Sequence, residues 1–243
     1  MKLLFIRHAD PDYAIDSLTP KGWREAEMLA GFLSEIDVLA YYVSPLGRAK
    51  DTASLTLART GRTATECPWL REFTPAIRRP GSPGIAPVPW DWLPQDWTAD
   101  ERFYRRDLWA EPERMREGGV REAADEVARE FDALLETHGY RRDGNLYRAL
   151  APSNATLVFF CHFGVECLLL GHLLGLSPMV LWHATCAAPS SITTVATEER
   201  REGIACFRML SFGATPHLAI HGEPPAFAAR FRECHANDAE RRD

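Results

Sequence analysis

The sequence predicts an α/β protein: a three-layer α/β/α sandwich with a mostly parallel central sheet and an inserted cap segment rich in proline and tryptophan. Three observations predict it. Apolar runs at Leu3–Ile6, Val38–Val43 and Ala155–Cys161 read as buried strands. Each is followed by a segment with helical spacing of apolar residues. Between the second and third runs, a stretch of different texture interrupts the alternation.

The first run, Leu3-Leu4-Phe5-Ile6, leads directly into Arg7-His8-Ala9-Asp10. Ligands in open α/β sheets bind at the C-terminal ends of strands, so a cation and an imidazole are delivered together to such an edge. Taken alone, the pair equally suits a surface arginine and a histidine satisfied by a loop carbonyl. A polar loop, Asp10 to Leu18, follows. Thr19-Pro20 then provides a helix start, with threonine as N-cap and proline at the first helical position. Trp23, Ala26, Leu29, Ala30, Leu33 and Ile36 continue at helical spacing.

After the strand Val38–Val43, Ser44-Pro45 repeats the cap-plus-proline signature, which places Arg48 in the first turn of a second helix. A cation there opposes the helix dipole at a cost of about 0.3–1 kcal/mol. A bound anion shared with the free N–H groups would offset it; a solvated arginine is the plainer reading of that residue by itself.

Residues 73–118 hold seven of the 17 prolines and four of the seven tryptophans (Trp90, Trp92, Trp97 and Trp109). That is too aromatic for a disordered linker. The segment reads as an insertion within a single domain spanning 1–243, serving as a lid or pocket wall, or as a cap over apolar sheet surface. Gly118-Gly119 closes it. Val120 to Leu135 forms an amphipathic helix stopped by Gly139, and Arg141 to Ala151 reads as a polar connection. The strand Ala155–Cys161 ends in His162-Phe163-Gly164, the second histidine delivered to a strand edge, and a helix runs on to Gly175. Ser177-Pro178 begins a short helix, Ser191–Thr197 and Ile204–Phe212 form a hairpin, and the charged tail after His217 reads as frayed.

A formal charge of -6 argues against a protein that coats nucleic acid. An anionic ligand therefore needs a local cationic pocket, for which the abundant arginines are suited. The six cysteines form no C-x-x-C pair and so suggest no zinc site. The apolar stretch Leu168–Leu176 is too short to span a bilayer. Together with the lack of a secretory signal, this gives the expectation of a reduced, cytoplasmic protein.

Taken together, the motifs resemble the histidine phosphatase (phosphoglycerate-mutase-like) superfamily, in its Arg-His-Gly branch. Arg7-His8-Ala9-Asp10 resembles the opening Arg-His-Gly motif, and Leu18-Thr19-Pro20-Lys21-Gly22 the Leu-Thr-x-x-Gly helix start. Ser44-Pro45-Leu46-Gly47-Arg48-Ala49-Lys50-Asp51-Thr52-Ala53 resembles Ser-Pro-x-x-Arg-Ala-x-x-Thr-Ala, the most specific of the set. Leu70-Arg71-Glu72 resembles the segment carrying the acid, and His162-Phe163-Gly164 the second His-Gly motif.

The resemblance implies His8 as nucleophile, Glu72 as general acid and base, and Arg7, Arg48 and His162 around the phosphoryl oxygens. Ser17 or Asp16 would add a polar contact to the phosphate. It implies no cofactor and no metal, and a small phosphorylated metabolite as the partner, with no nucleic acid and no membrane; monomer and homodimer are both left open. Two departures stand out: Ala9 replaces the usual glycine, and Phe163 stands between His162 and Gly164, which questions close backbone donation there. His172, His183, His217 and His221 match no catalytic motif and read as core or surface residues.

A metal-independent phosphomonoesterase is favoured over a mutase. The stretch Phe73 to Pro89 lacks the further basic residues a mutase uses, although Arg78-Arg79 could bind a carboxylate. A non-catalytic phospho-ligand binder is a third reading. The aromatic insertion suggests a substrate with some apolar or ring character.

Overall fold

In the computed structural model, which describes residues 1–78, 80–81, 88–226 and 230–240, the first apolar run becomes β1 (Lys2–Arg7), at the middle of an eight-stranded sheet. Its side chains alternate between two cores. Leu3 and Phe5 enter one hydrophobic cluster, Leu4 and Ile6 the other. Burial of such a side chain contributes about 1.5–3 kcal/mol relative to exposure. A strand covered on both faces therefore reads as an unbroken apolar run rather than an alternating one.

The polar loop that follows contains a short pair of strands, β2 (Pro11–Asp12) and β3 (Ser17–Leu18). Next come α1 (Pro20–Leu33), β4 (Ala40–Val43), α2 (Gly47–Thr60), β5 (Ala64–Glu66) and a 3-10 turn at Pro68–Leu70. The insertion contributes α3 (Pro94–Trp97), a second 3-10 turn at Glu101–Tyr104 and α4 (Glu113–Glu117). The chain continues through α5 (Val120–Thr137), β6 (Tyr140–Asp143), β7 (Leu146–Ala149), β8 (Thr156–Cys161), α6 (Phe163–Leu174) and α7 (Pro178–Ala184). It closes with β9 (Ile192–Arg201), β10 (Ile204–Ala214) and α8 (Pro216–His221).

The strand order is β5-β4-β8-β1-β9-β10-β7-β6. The β5-β4-β8-β1 half is parallel, and from β9 outward the pairing is antiparallel. Leu29 and Leu33 of α1 and Ala49 and Ala53 of α2 cover the Leu4–Ile6 face. Phe131 of α5 and Leu169 of α6 cover the Leu3–Phe5 face. Trp92, Phe103, Trp109 and Met115 of the insertion are buried in that same second core. Among the described residues no helix is long and apolar enough to cross a membrane.

Three local expectations are corrected. Ser44 is not the cap of α2: the helix begins at Gly47, its N-cap residue Leu46 makes no side-chain bond, and Asp16 caps it from the first loop instead. Arg141 to Ala151 is not a plain connection but contains the β6–β7 hairpin, turning at Gly144-Asn145 with Gly144 at φ +60°. Gly-Asn is a hairpin signal in its own right. Its strands look polar because they lie at the sheet edge, where chiefly Tyr140 and Tyr147 turn inward. From His217 to Pro224 the chain is not a frayed tail, and residues 227–229 and 241–243 of the expected tail lie outside the described residues. The chain stays helical to His221, and Lys21 then ties it to α1 through Glu223 (2.7 Å) and the Pro224 carbonyl (2.6 Å).

Candidate active site

Sheet register brings the two histidines together. β1 and β8 are parallel neighbours with Arg7 opposite Cys161, so the next residue of each strand, His8 and His162, emerges at the same edge. The His8 N–H extends the ladder by donating to the Cys161 carbonyl (3.0 Å). The two imidazole centroids are 5.1 Å apart, inclined at 55°. On the other side of β8, Val43 pairs with Phe160, and the Ser44 N–H donates to the Phe160 carbonyl. This sets the Ser44 hydroxyl 2.7 Å from His162 Nε2. The serine read from sequence as a helix cap is therefore a partner of the second histidine.

His8 Nδ1 lies 2.8 Å from the Ala9 carbonyl oxygen. A carbonyl only accepts, so Nδ1 carries the proton and Nε2 keeps its lone pair. Burial, reinforced by Arg7, holds the His8 imidazole well below its ordinary pKa; burial, with His8 next and then Arg48 and Arg7, does the same for His162. Both rings are neutral near pH 7.

Arg7 donates through Nη1 to the Ala187 carbonyl (2.5 Å), and its guanidinium lies 5.8 Å from the centre of the Phe163 ring. Arg48, in the first turn of α2, pairs with Asp16 (2.5 Å), whose other oxygen accepts the Gly47 N–H (2.7 Å). Burial alone would raise the Asp16 pKa, but the Gly47 N–H and the Arg48 guanidinium outweigh it and hold it low. The cation at a helix start thus has a side-chain carboxylate for company. On the site residues just described, three nitrogens are buried without a partner among the described residues: Arg7 Nε, Arg48 Nε and His162 Nδ1. Orphaned buried polar groups are rare in folded proteins and mark places where a further partner fits.

Glu72 comes from the loop after the Pro68–Leu70 turn. Its Oε1 accepts from the N–H groups of Phe73 (2.8 Å) and Val165 (3.1 Å), and its Oε2 from Gly164 (3.3 Å). It thereby sits on the first turn of α6, the helix that begins directly after His162. Burial pushes its pKa up, against the pull of these N–H groups and of Arg7. Gly164 makes the approach feasible, since a Cβ there would lie 2.5 Å from both Glu72 Oε1 and Trp90 Nε1. Backbone donation therefore survives Phe163: it comes from Gly164 and Val165, while the Phe163 ring packs edge-on against Trp90 (5.8 Å).

The loop after His8 is held from below. The Ala9 N–H donates to Thr52 Oγ1 (2.9 Å), and that hydroxyl donates to the Arg48 carbonyl (2.7 Å). The Asp10 N–H donates to the buried Glu25 (3.0 Å). A side chain at Gly22 would collide with the Asp10 carbonyl, which is why the helix-start motif ends in glycine. Ser17 donates to Asp51 (2.5 Å), so its hydroxyl proton is already engaged. Arg79 and most of the stretch before Val88 lie outside the described residues.

Sequence reasoning missed the Ser44–His162 and Thr52–Ala9 contacts, although both residues stand in the Ser-Pro-x-x-Arg-Ala-x-x-Thr-Ala segment. Nothing in the sequence marked the Ala187 carbonyl. Among the described residues no group of three or more His, Cys, Asp or Glu side chains could hold a metal ion.

Fold and site together define an α/β protein with two histidines and two arginines gathered at the C-terminal ends of the parallel strands of a mixed sheet. Residues 3–208 match the histidine phosphatase superfamily (branch 1), and the chain belongs to that superfamily. Among solved structures it is similar to a mutant of phosphoserine phosphatase from Entamoeba histolytica in complex with phosphoserine. The two share 19% identity over 89% of this chain and 98% of that one, with a TM-score of 0.57. It is also similar to a mycobacterial glucosyl-3-phosphoglycerate phosphatase (17% identity, 88% and 98% covered, TM-score 0.57). A mycobacterial hydrolase gives 20% identity, 88% and 91% covered, and a TM-score of 0.57. At these identities the likeness is one of fold. No curated protein matches the sequence.

Proposed function

We propose that the chain is a metal-independent phosphomonoesterase acting on a small organic phosphate through a phosphohistidine on His8. The observation that carries this reading is the convergence of His8 and His162, 5.1 Å apart, with unpartnered nitrogens of Arg7, Arg48 and His162 buried beside them. Membership of the superfamily supports it, as do the names of the two phosphatases among the structural neighbours.

In the first step the His8 Nε2 lone pair forms a bond to phosphorus and the bond from phosphorus to the leaving oxygen breaks. Protonated Glu72 gives its proton to that oxygen. In the second step the Glu72 carboxylate takes a proton from water, the water oxygen bonds to phosphorus, and the phosphorus–nitrogen bond returns its electrons to His8. Inorganic phosphate leaves, and Glu72 again carries the proton. Arg7, Arg48 and His162 face the charge spread over the phosphoryl oxygens, where fixed donors supply most of the catalysis. The raised pKa of Glu72 suits an acid that must hold a proton near neutrality.

The insertion 73–118 serves in this reading as a pocket wall. Trp90 donates from Nε1 to the Phe73 carbonyl (3.2 Å) and stands against Phe163. Phe163 and Trp90 favour a substrate with an apolar or ring-bearing part.

The test is turnover of p-nitrophenyl phosphate with chelator present. His8→Ala abolishes it, and rapid quench of the parent enzyme with a phosphorus-labelled ester traps an acid-labile phosphoenzyme. Undiminished turnover by His8→Ala would remove His8 from the mechanism. Product analysis showing transfer to a second hydroxyl, rather than phosphate release, would make the enzyme a mutase.

A further inference from the structure

Ser190 has φ +60°, and with Asp16 it is one of two non-glycine residues at positive φ among the described residues. Serine has no intrinsic preference for the left-handed region, where an L side chain crowds the following carbonyl. Something must hold it there. Its side chain is fully buried, and Oγ lies 2.9 Å from Nε2 of His217, which is 1% exposed on α8. His217 in turn rests near the Phe32 ring of α1 (6.5 Å).

The turn so held grips the end of β1. The Ser190 N–H donates to the His8 carbonyl (3.1 Å), the Ser191 carbonyl accepts the Arg7 N–H (3.1 Å), and the Ala187 carbonyl accepts Arg7 Nη1. The main chain on both sides of the Arg7–His8 peptide and the Arg7 guanidinium are thus tied to one five-residue segment.

We infer that His217 is a positioning residue: by bonding Ser190 Oγ it holds the left-handed turn whose N–H fixes the His8 carbonyl, and so sets the aim of the His8 ring. The inference rests on the reading of His8 as nucleophile. His8 Nδ1 is itself anchored on the carbonyl of the next residue, so a rotation of the His8 peptide moves the ring with it. Burial, with a contribution from His221, lowers the His217 pKa to about 4, so the ring bonds Ser190 in its neutral form.

A double-mutant cycle tests this, with p-nitrophenyl phosphate as probe. His217→Phe keeps the ring volume and removes the polar contact. It should lower kcat by roughly ten- to a hundredfold, with KM shifted less than about threefold because Arg48 and His162 are untouched. His217→Gln, which keeps an amide for Ser190, should recover most of the loss. Glycine takes positive φ unaided, so in a Ser190→Gly background His217→Phe should cost less than about threefold. Should His217→Phe lose its near-ultraviolet circular dichroism, His217→Leu takes its place in the cycle. An equal kcat loss in both backgrounds, or a rise in KM with kcat intact, would overturn the inference. Turnover that survives His8→Ala would instead overturn the phosphohistidine reading, so the two failures are distinguishable.

Discussion

Gly164 and Glu72 are sterically coupled across 92 residues of chain. The Gly164 N–H donates to Glu72 Oε2 at 3.3 Å, and a methyl group on Gly164 would lie 2.5 Å from Oε1 and equally close to the Trp90 indole nitrogen. One glycine therefore admits both the carboxyl read as the acid and the aromatic residue that flanks it.

Gly164→Ala tests that coupling. Trp90 and Glu72 would both have to retreat, and a misplacement of about 1 Å costs on the order of a hundredfold in rate. The expected result is a kcat reduced by roughly that factor in a chain whose circular dichroism is unchanged. A kcat within about threefold of the parent would show that Glu72 is not held by this approach.

Glu72 should also shape the pH profile. Its pKa is raised, chiefly by burial, so the protonated form persists toward neutral pH and is lost as pH rises through that raised value. Phosphoenzyme formation needs the proton on the leaving oxygen, so its rate should fall along that alkaline limb. Single-turnover rates across pH measure it. Glu72→Gln should be slower by about 100-fold or more and show no such limb for esters with a poor leaving group. A limb that persists in Glu72→Gln would assign it to another group.

The parts of the fold legible in sequence were those set by burial. Leu3–Ile6 and Thr156–Cys161 are covered on both faces, and an unbroken apolar run carries that information directly. The Thr19-Pro20 start of α1 was equally local: Thr19 accepts the Gly22 N–H at 3.0 Å. What stayed hidden depended on partners far along the chain. Ser44 has the chemistry of a cap, but its hydroxyl is taken by His162, 118 residues on, and Asp16 reaches α2 from 31 residues before Gly47. The β6–β7 hairpin escaped because edge strands bury little, and its polar residues look like a loop. His217 could be read as a core histidine, yet nothing near it in sequence points to Ser190.

Thr52 links the first loop to α2. Its Oγ1 accepts from the fully buried Ala9 N–H and donates to the Arg48 carbonyl. Thr52→Val keeps the shape and leaves that N–H unsatisfied, which costs about 1–3 kcal/mol. Urea denaturation should report that loss, and kcat should fall with it because Ala9 follows His8. Thr52→Ser, which retains the hydroxyl, should lie much nearer the parent. Equal stability of the valine and serine variants would show that this hydrogen bond contributes nothing.

Glu166, in the first turn of α6, tests the electrostatics beneath the site. Burial pushes its pKa up to about 8, against the opposing effects of the Thr193 hydroxyl and Arg7. In the unfolded chain it titrates at the ordinary value of 4.5. Between those two values the folded protein holds a proton that the unfolded chain has released. Its contribution to stability is therefore fully present below pH 4.5 and is lost as pH rises through about 8. Glu166→Gln mimics the protonated form and cannot ionise. Relative to the parent it should gain on the order of 2–4 kcal/mol at pH 8–9 and little or nothing near pH 4. Denaturation curves of both proteins at several pH values give the difference directly. A difference that does not change with pH would mean that Glu166 has the same pKa folded and unfolded, and that the space under α6 is open enough to solvate a carboxylate.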